Sequence, residues 1–107
     1  MNFINSDIEE YCLKYSSKET KLLQKLTRET YHKIMMPRMM SSHYMGLFLK
    51  LITSLKKPKK ILEIGMFTGY STICLANELT EDGELHTIEI NEEVIDFSSK
   101  FIKESKL

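Results

Sequence analysis

The stretch ILEIGMFTGYSTICLA, residues 61–76, constrains the chain more than any other. An apolar run meets Gly65, a second glycine follows at Gly69, and the hydroxyl-bearing segment Tyr70-Ser71-Thr72 comes next. Apolar residues closed off by glycine read as a strand, and small hydroxyl residues open helices. The stretch is therefore expected to form a strand, a sharp turn and a helix. Gly65 and Gly69 let the backbone turn and approach a ligand with no Cβ in the way. The free N–H groups of the following helix start then suit an anionic group.

The flanking sequence extends this unit. Ser6 begins Ser-Asp-Ile-Glu and Ser16 begins Ser-Ser-Lys-Glu, both of which fit the helix-opening capping box. They predict helices over 7–15 and 17–34, the second with Leu22, Leu23, Leu26 and Thr30 near one face. Pro37 interrupts the pattern. Ser41 or Ser42 caps a third helix whose apolar stripe is Met45, Phe48, Leu49, Ile52 and Leu55. The lysine-rich run around Pro58 ends it as a solvated turn.

A strand over 60–64 and a helix over 70–79 come next. Glu81-Asp82-Gly83 is a turn signal. Residues 84–90 read as a second strand that closes on Glu89. Asn91 caps a last helix, with Glu92 and Glu93 set against its dipole and Val94, Ile95, Ser98, Phe101 and Ile102 on its inner face. The expected class is α/β: a helical region, 1–57, followed by a β-α-β-α region, 58–107. Strand, helix and strand in about 30 residues form a parallel crossover. No flexible linker separates the regions, so one domain is expected.

Charge and cysteine usage exclude several classes. Fifteen basic residues offset fifteen acidic ones. A nucleic-acid or anionic-membrane binder would carry a basic excess. No apolar run approaches the roughly 20 residues that span a bilayer. The polar, acidic start of the chain does not read as a signal peptide. Cys12 and Cys74 lie far apart and set up neither a disulfide framework nor a metal spacing. A reduced, cytoplasmic setting is expected. His32, His43 and His86 share no ligand spacing.

In open α/β sheets, ligands gather at the carboxyl ends of the strands. Glu63 lies at the first such end, where a carboxylate suits an amine. Ser71 and Thr72 offer hydroxyls to an anion. Glu89 closes the second strand, 20 residues after Gly69, a distance at which an acidic residue holds ribose hydroxyls. An anion seat, an ammonium partner and a ribose clamp together describe a nucleoside with an amino-acid tail. The NAD fingerprint is the competitor, but its second and third glycines fall on Phe67 and Tyr70. No Gly-Lys pair follows either, so the P-loop also fails.

The strings LEIGMFTGYST and HTIEIN resemble the class I S-adenosylmethionine (SAM) O-methyltransferases of the caffeoyl-CoA and catechol type. Upstream, MMSSHYMGLFLKLI resembles the same family's M-x-V-x-x-x-x-G-x-F-L segment, with Met39 at its Met and Gly46 at its Gly. The likeness covers roughly residues 39–107. It implies a Rossmann-like parallel sheet, of which this chain holds the first β-α-β-α units. It also implies roles for named residues. Glu63 and Gly65 would line the methionine end of SAM, with Gly69 in the turn beside it. Phe67 would pack on the cofactor and Ser71 would meet its carboxylate. Glu89 would hold both ribose hydroxyls, with Ile90 near the adenine. Met39, Met40 and Ser41 would cover the cofactor, although Ser41 departs from the family's valine.

The resemblance further implies methyl transfer to a hydroxyl of a small catechol- or phenol-like acceptor. It implies a longer protein with a divalent, Mg2+-type metal held by later residues, and a homodimer when complete. The chain is accordingly expected to be a truncated or split product, or part of a longer sequence, and to be marginally stable alone. Two other functions fit the residues less fully: a non-catalytic SAM-binding remnant or interaction module, and an NAD-dependent oxidoreductase.

Overall fold

A computed structural model describes residues 3–107. Five helices and two strands follow in the order α1 (Ser6–Tyr15), α2 (Lys21–Lys33), α3 (His43–Lys56), β1 (Lys60–Ile64), α4 (Tyr70–Asn77), β2 (Glu84–Ile88) and α5 (Glu92–Ser105). A single 3-10 turn, Pro37–Met39, joins α2 to α3. The expected α/β architecture is present. β1 and β2 pair in parallel, in a register that runs from Lys60 opposite Glu84 to Ile64 opposite Ile88.

The core lies between α2, α4 and α5. Leu23 and Leu26 meet Tyr70, Ile73, Cys74 and Phe101, all buried. Thr30 in α2 donates its hydroxyl to Thr68, in the loop after β1, at 3.1 Å, with both side chains fully buried. Burying two hydroxyls is tolerable because they satisfy each other. The helical region thus packs directly on the strand–turn–helix unit.

Three local expectations are corrected. Helix α1 is capped by Asn5, whose Oδ1 accepts from Asp7 N–H at 2.8 Å, and not by Ser6. Helix α2 begins four residues later than expected, with Thr20 as its cap. The Ser16–Glu19 segment stays out of the helix because its polar groups serve other partners: Ser17 C=O meets His43 Nε2 at 2.8 Å, and the Glu19 carboxylate accepts from Tyr70.

The third correction concerns α3. Its cap is Ser42, one of the two serines expected. Yet Met45, Phe48, Ile52 and Leu55 point outward, and the helix buries Gly46 and Thr53 instead. α3 lies so close to α4 that a Cβ on Gly46 would come within 2.8 Å of Cys74 Sγ and 2.9 Å of a Tyr70 ring carbon. Only glycine permits that approach. A large apolar residue on that side would push the helices apart.

The sheet has two unlike faces. Ile61, Glu63, Leu85 and Thr87 are half-buried. Leu62, Ile64 and Ile88, on the other face, are exposed, Ile64 by 81%. Parallel strands are ordinarily covered on both faces. No cover for this second face comes from the described residues.

Candidate functional site

The site is built where β1 ends. Gly65 and Gly69 both take positive φ, +93° and +97°, and Phe67 between them takes φ +49°. A bulky residue in the left-handed region is strained and needs outside support. That support comes from Glu89. Its Oε1 accepts from Phe67 N–H at 2.7 Å, and its Oε2 accepts from Ile90 and Asn91 N–H, each at 3.0 Å. One carboxylate therefore ties the loop after β1 to the chain leaving β2. The N–H groups of Asn91, then Phe67, also hold the Glu89 carboxyl below the usual carboxylate range. Gly65 and Met66 complete the tie by donating to Ile88 C=O.

Glu63 has a different set of partners. Ser71 donates to its Oε2 at 2.6 Å, while Thr72 and Thr87 both donate to its Oε1, Thr87 at 2.8 Å. Helix α4 thus begins against a carboxylate held by three hydroxyls.

Two adjoining hollows open at this end of the sheet. The first is small and lined by Met39, Met40, Ser41, Gly65, Phe67 and Ser71, with Met66, Thr68 and Tyr70 behind them. The second, about 470 Å³, is bounded by Met35, Met36, Met39, Gly65, Phe67, Glu89, Ile90 and Asn91. Eight of the ten residues expected at the site line one hollow or the other. Glu63 stands behind Ser71, and Gly69 is the N-cap of α4. Ile90 is 94% exposed, a flat apolar surface beside Glu89.

Sequence reasoning missed several neighbours. Met35 and Met36 join the wall of the second hollow, and the methionine run was the only signal for them. Thr87 reaches Glu63 because the parallel register sets the two opposite each other. Tyr70 is buried, donates to Glu19, and has its hydroxyl pushed well up by burial and then by that carboxylate, so it stays a donor. Burial pushes the Cys74 thiol up to about 11, which makes it packing and not a nucleophile. No group of three or more His, Cys, Asp or Glu side chains able to hold a metal occurs among the described residues.

Comparison with known proteins decides the family. The model of the O-methyltransferase family matches residues 13–107. The chain belongs to the O-methyltransferase family. A catechol O-methyltransferase from Niastella koreensis is 44% identical over 54 residues, covering 50% of this chain and 24% of that protein. The crystal structure of the O-methyltransferase TomG from Streptomyces achromogenes, in complex with SAM, matches with TM-score 0.85 and 31% identity, covering 94% of this chain and 44% of that one. An O-methyltransferase from Bacillus cereus in complex with SAH matches with TM-score 0.86 and 28% identity, covering 94% and 46%. This O-methyltransferase chain therefore spans under half the length of these relatives. The matches agree with the β-α-β-α reading of the second region. No helix among the described residues is long and apolar enough to cross a membrane.

Proposed function

We propose that the chain is the cofactor-binding portion of a SAM-dependent O-methyltransferase acting on a hydroxyl of a small catechol- or phenol-like acceptor. The observation that carries this reading is Glu89, which pins the strained Phe67 turn from the second strand end and borders a nucleoside-sized hollow. A carboxylate offers about four acceptor positions, and Glu89 uses three on backbone N–H groups. One ribose hydroxyl enters without displacing anything. The second competes with a backbone donor. Phe67 and Ile90 flank the carboxylate and give the purine apolar surface.

At the other hollow, Ser71 and the first N–H groups of α4 take the cofactor carboxylate, and Glu63 attracts its ammonium. Met39, Met40 and Ser41 lie over this end and exclude water. SAM, when bound, supplies a methyl group on a positively charged sulfur. The protein's task is to hold that group still and dry while the acceptor oxygen approaches in line. The described residues do not provide a donor set for the family's divalent metal. In this reading the metal site and most of the acceptor pocket belong to the rest of the whole protein.

Residues 1–107 act as one folding unit in this reading, since α2 and the α4 region share a core. The outward stripe of α3 supports a homodimer of the whole protein. The free thiols of Cys12 and Cys74 fit a reduced, cytoplasmic setting. The uncovered sheet face favours a second reading, a SAM-binding interaction module without turnover.

Calorimetric titration of S-adenosylhomocysteine (SAH) into the chain tests the proposal. Saturable 1:1 binding is the expected result. A folded chain that binds NAD(H) and ignores SAH would overturn it. Methyl transfer from labelled SAM to a catechol by the whole protein separates the enzyme from the interaction module.

A further inference from the structure

The Glu63 cluster carries an inference that rests on the cofactor reading and goes beyond it. The three hydroxyls on this carboxylate are not equivalent. Ser71 serves Oε2 and also lines the small hollow under Met40 and Ser41. Thr72 and Thr87 both serve Oε1. They line a separate groove, bounded also by Leu79, Leu85 and Ile102. A ligand in the cofactor hollow therefore meets Ser71, with Oε2 directly behind it, and neither of the two threonines.

We infer that Thr72 and Thr87 are positioning residues that lock Oε1 of Glu63, so that Oε2 is presented to the ligand's ammonium while Ser71 exchanges its bond from Glu63 to the ligand. Oε1 has both of its acceptor positions filled, and Oε2 has one filled and one free. The free position takes an ammonium N–H, and the one internal bond given up is that from Ser71 to Oε2. Ser71 alone stands between carboxylate and hollow, so it alone can turn to the ligand. The anchors come from independent elements. Thr72 is 4% exposed in the first turn of α4, and Thr87 lies across the ladder from Glu63. A carboxylate held from two directions keeps one rotamer, and a preorganised carboxylate loses less freedom when the ligand arrives.

SAH titrations of the wild-type chain and of Thr87→Val, Thr87→Ser, Glu63→Gln and the double variant Glu63→Gln/Thr87→Val test this. Valine keeps the β-branched shape that suits a strand and removes the donor. Thr87→Val is expected to weaken SAH about tenfold, the loss that follows when a charged group loses a hydrogen-bond donor. Thr87→Ser should return binding to within about twofold of wild type, because the hydroxyl is restored. In the Glu63→Gln background, Thr87→Val should cost nothing further. Wild-type affinity in Thr87→Val would overturn the inference. Equal weakening by Thr87→Val with and without Glu63 would also overturn it, since the effect would then be general packing. If Thr87→Val does not fold by circular dichroism, Thr72→Val makes the same comparison from α4. Failure of the wild-type chain to bind SAH is a separate outcome: it removes the cofactor reading and this inference with it.

Discussion

The corner at the strand ends and the outer apolar surfaces of this chain are opposites. At the corner, two carboxylates each accept three hydrogen bonds, from the two strand ends and the start of α4. On the outer surfaces, Leu62, Ile64 and Ile88 of the sheet and Met45, Phe48, Ile52 and Leu55 of α3 are exposed. Hydrogen-bond partners for the corner all lie between Glu63 and Asn91, because one β-α-β crossover delivers both strand ends. Apolar cover for a sheet face needs a further layer of structure. A polar site can thus be locally complete while its surroundings are not. The chain spans under half the length of its relatives, which fits that division.

The sharpest contrast lies within α3. Gly46→Val places branched carbon against Cys74 and Tyr70, where even a Cβ would be too close. It should destabilise the chain by about 3 kcal/mol in urea unfolding, the upper range for overpacking. A loss near zero would mean that α3 is free to move away from α4. Next in size is Glu89→Ala. It frees three backbone N–H groups and removes the proposed ribose clamp, and SAH affinity should fall by at least about 1–3 kcal/mol. Unchanged affinity would place the nucleoside elsewhere.

A smaller effect is expected from pH. Backbone donors depress the Glu89 carboxyl. A depressed acid contributes stability that is complete above the ordinary carboxylate range and is lost as pH falls through the folded value. Melting temperature should therefore decline below about pH 4. Glu89→Gln should flatten that decline, and a decline of unchanged steepness would assign it to other carboxylates. The smallest change belongs to the outward stripe. Phe48→Ser should alter the monomer's unfolding free energy by less than about 0.5 kcal/mol, as for an exposed site. A larger loss would show that the stripe is covered after all.

The sequence made β1, α4, β2 and α5 legible because their signals are local. The apolar run before Gly65, Gly65 and Gly69 themselves, and the Asn91 cap each act within a few residues. The strand-end part of the candidate site was legible for the same reason, since one crossover brings Gly65, Phe67, Ser71 and Glu89 to one end of the sheet. The errors arose where distant partners decide. Ser16-Ser17-Lys18-Glu19 has the form of a capping box, but His43 and Tyr70 take its polar groups and Thr20 caps instead. The stripe on α3 was real as a periodicity. Its direction depended on a close helix–helix approach at Gly46 that no pattern within α3 announces. Thr87 was invisible as a partner of Glu63 until the strand register was known.

The tie between Phe67 and Glu89 spans 22 residues, and this gives the site a schedule as well as a shape. As the chain leaves the ribosome, β1 and its turn emerge first, with a strained Phe67 and no acceptor for its amide. Only when β2 has been made and has zipped onto β1 does the carboxylate arrive to hold the turn. Non-local closure of this kind comes late in folding. On the proposed cofactor reading, the nascent chain cannot clamp a nucleoside until the second strand docks.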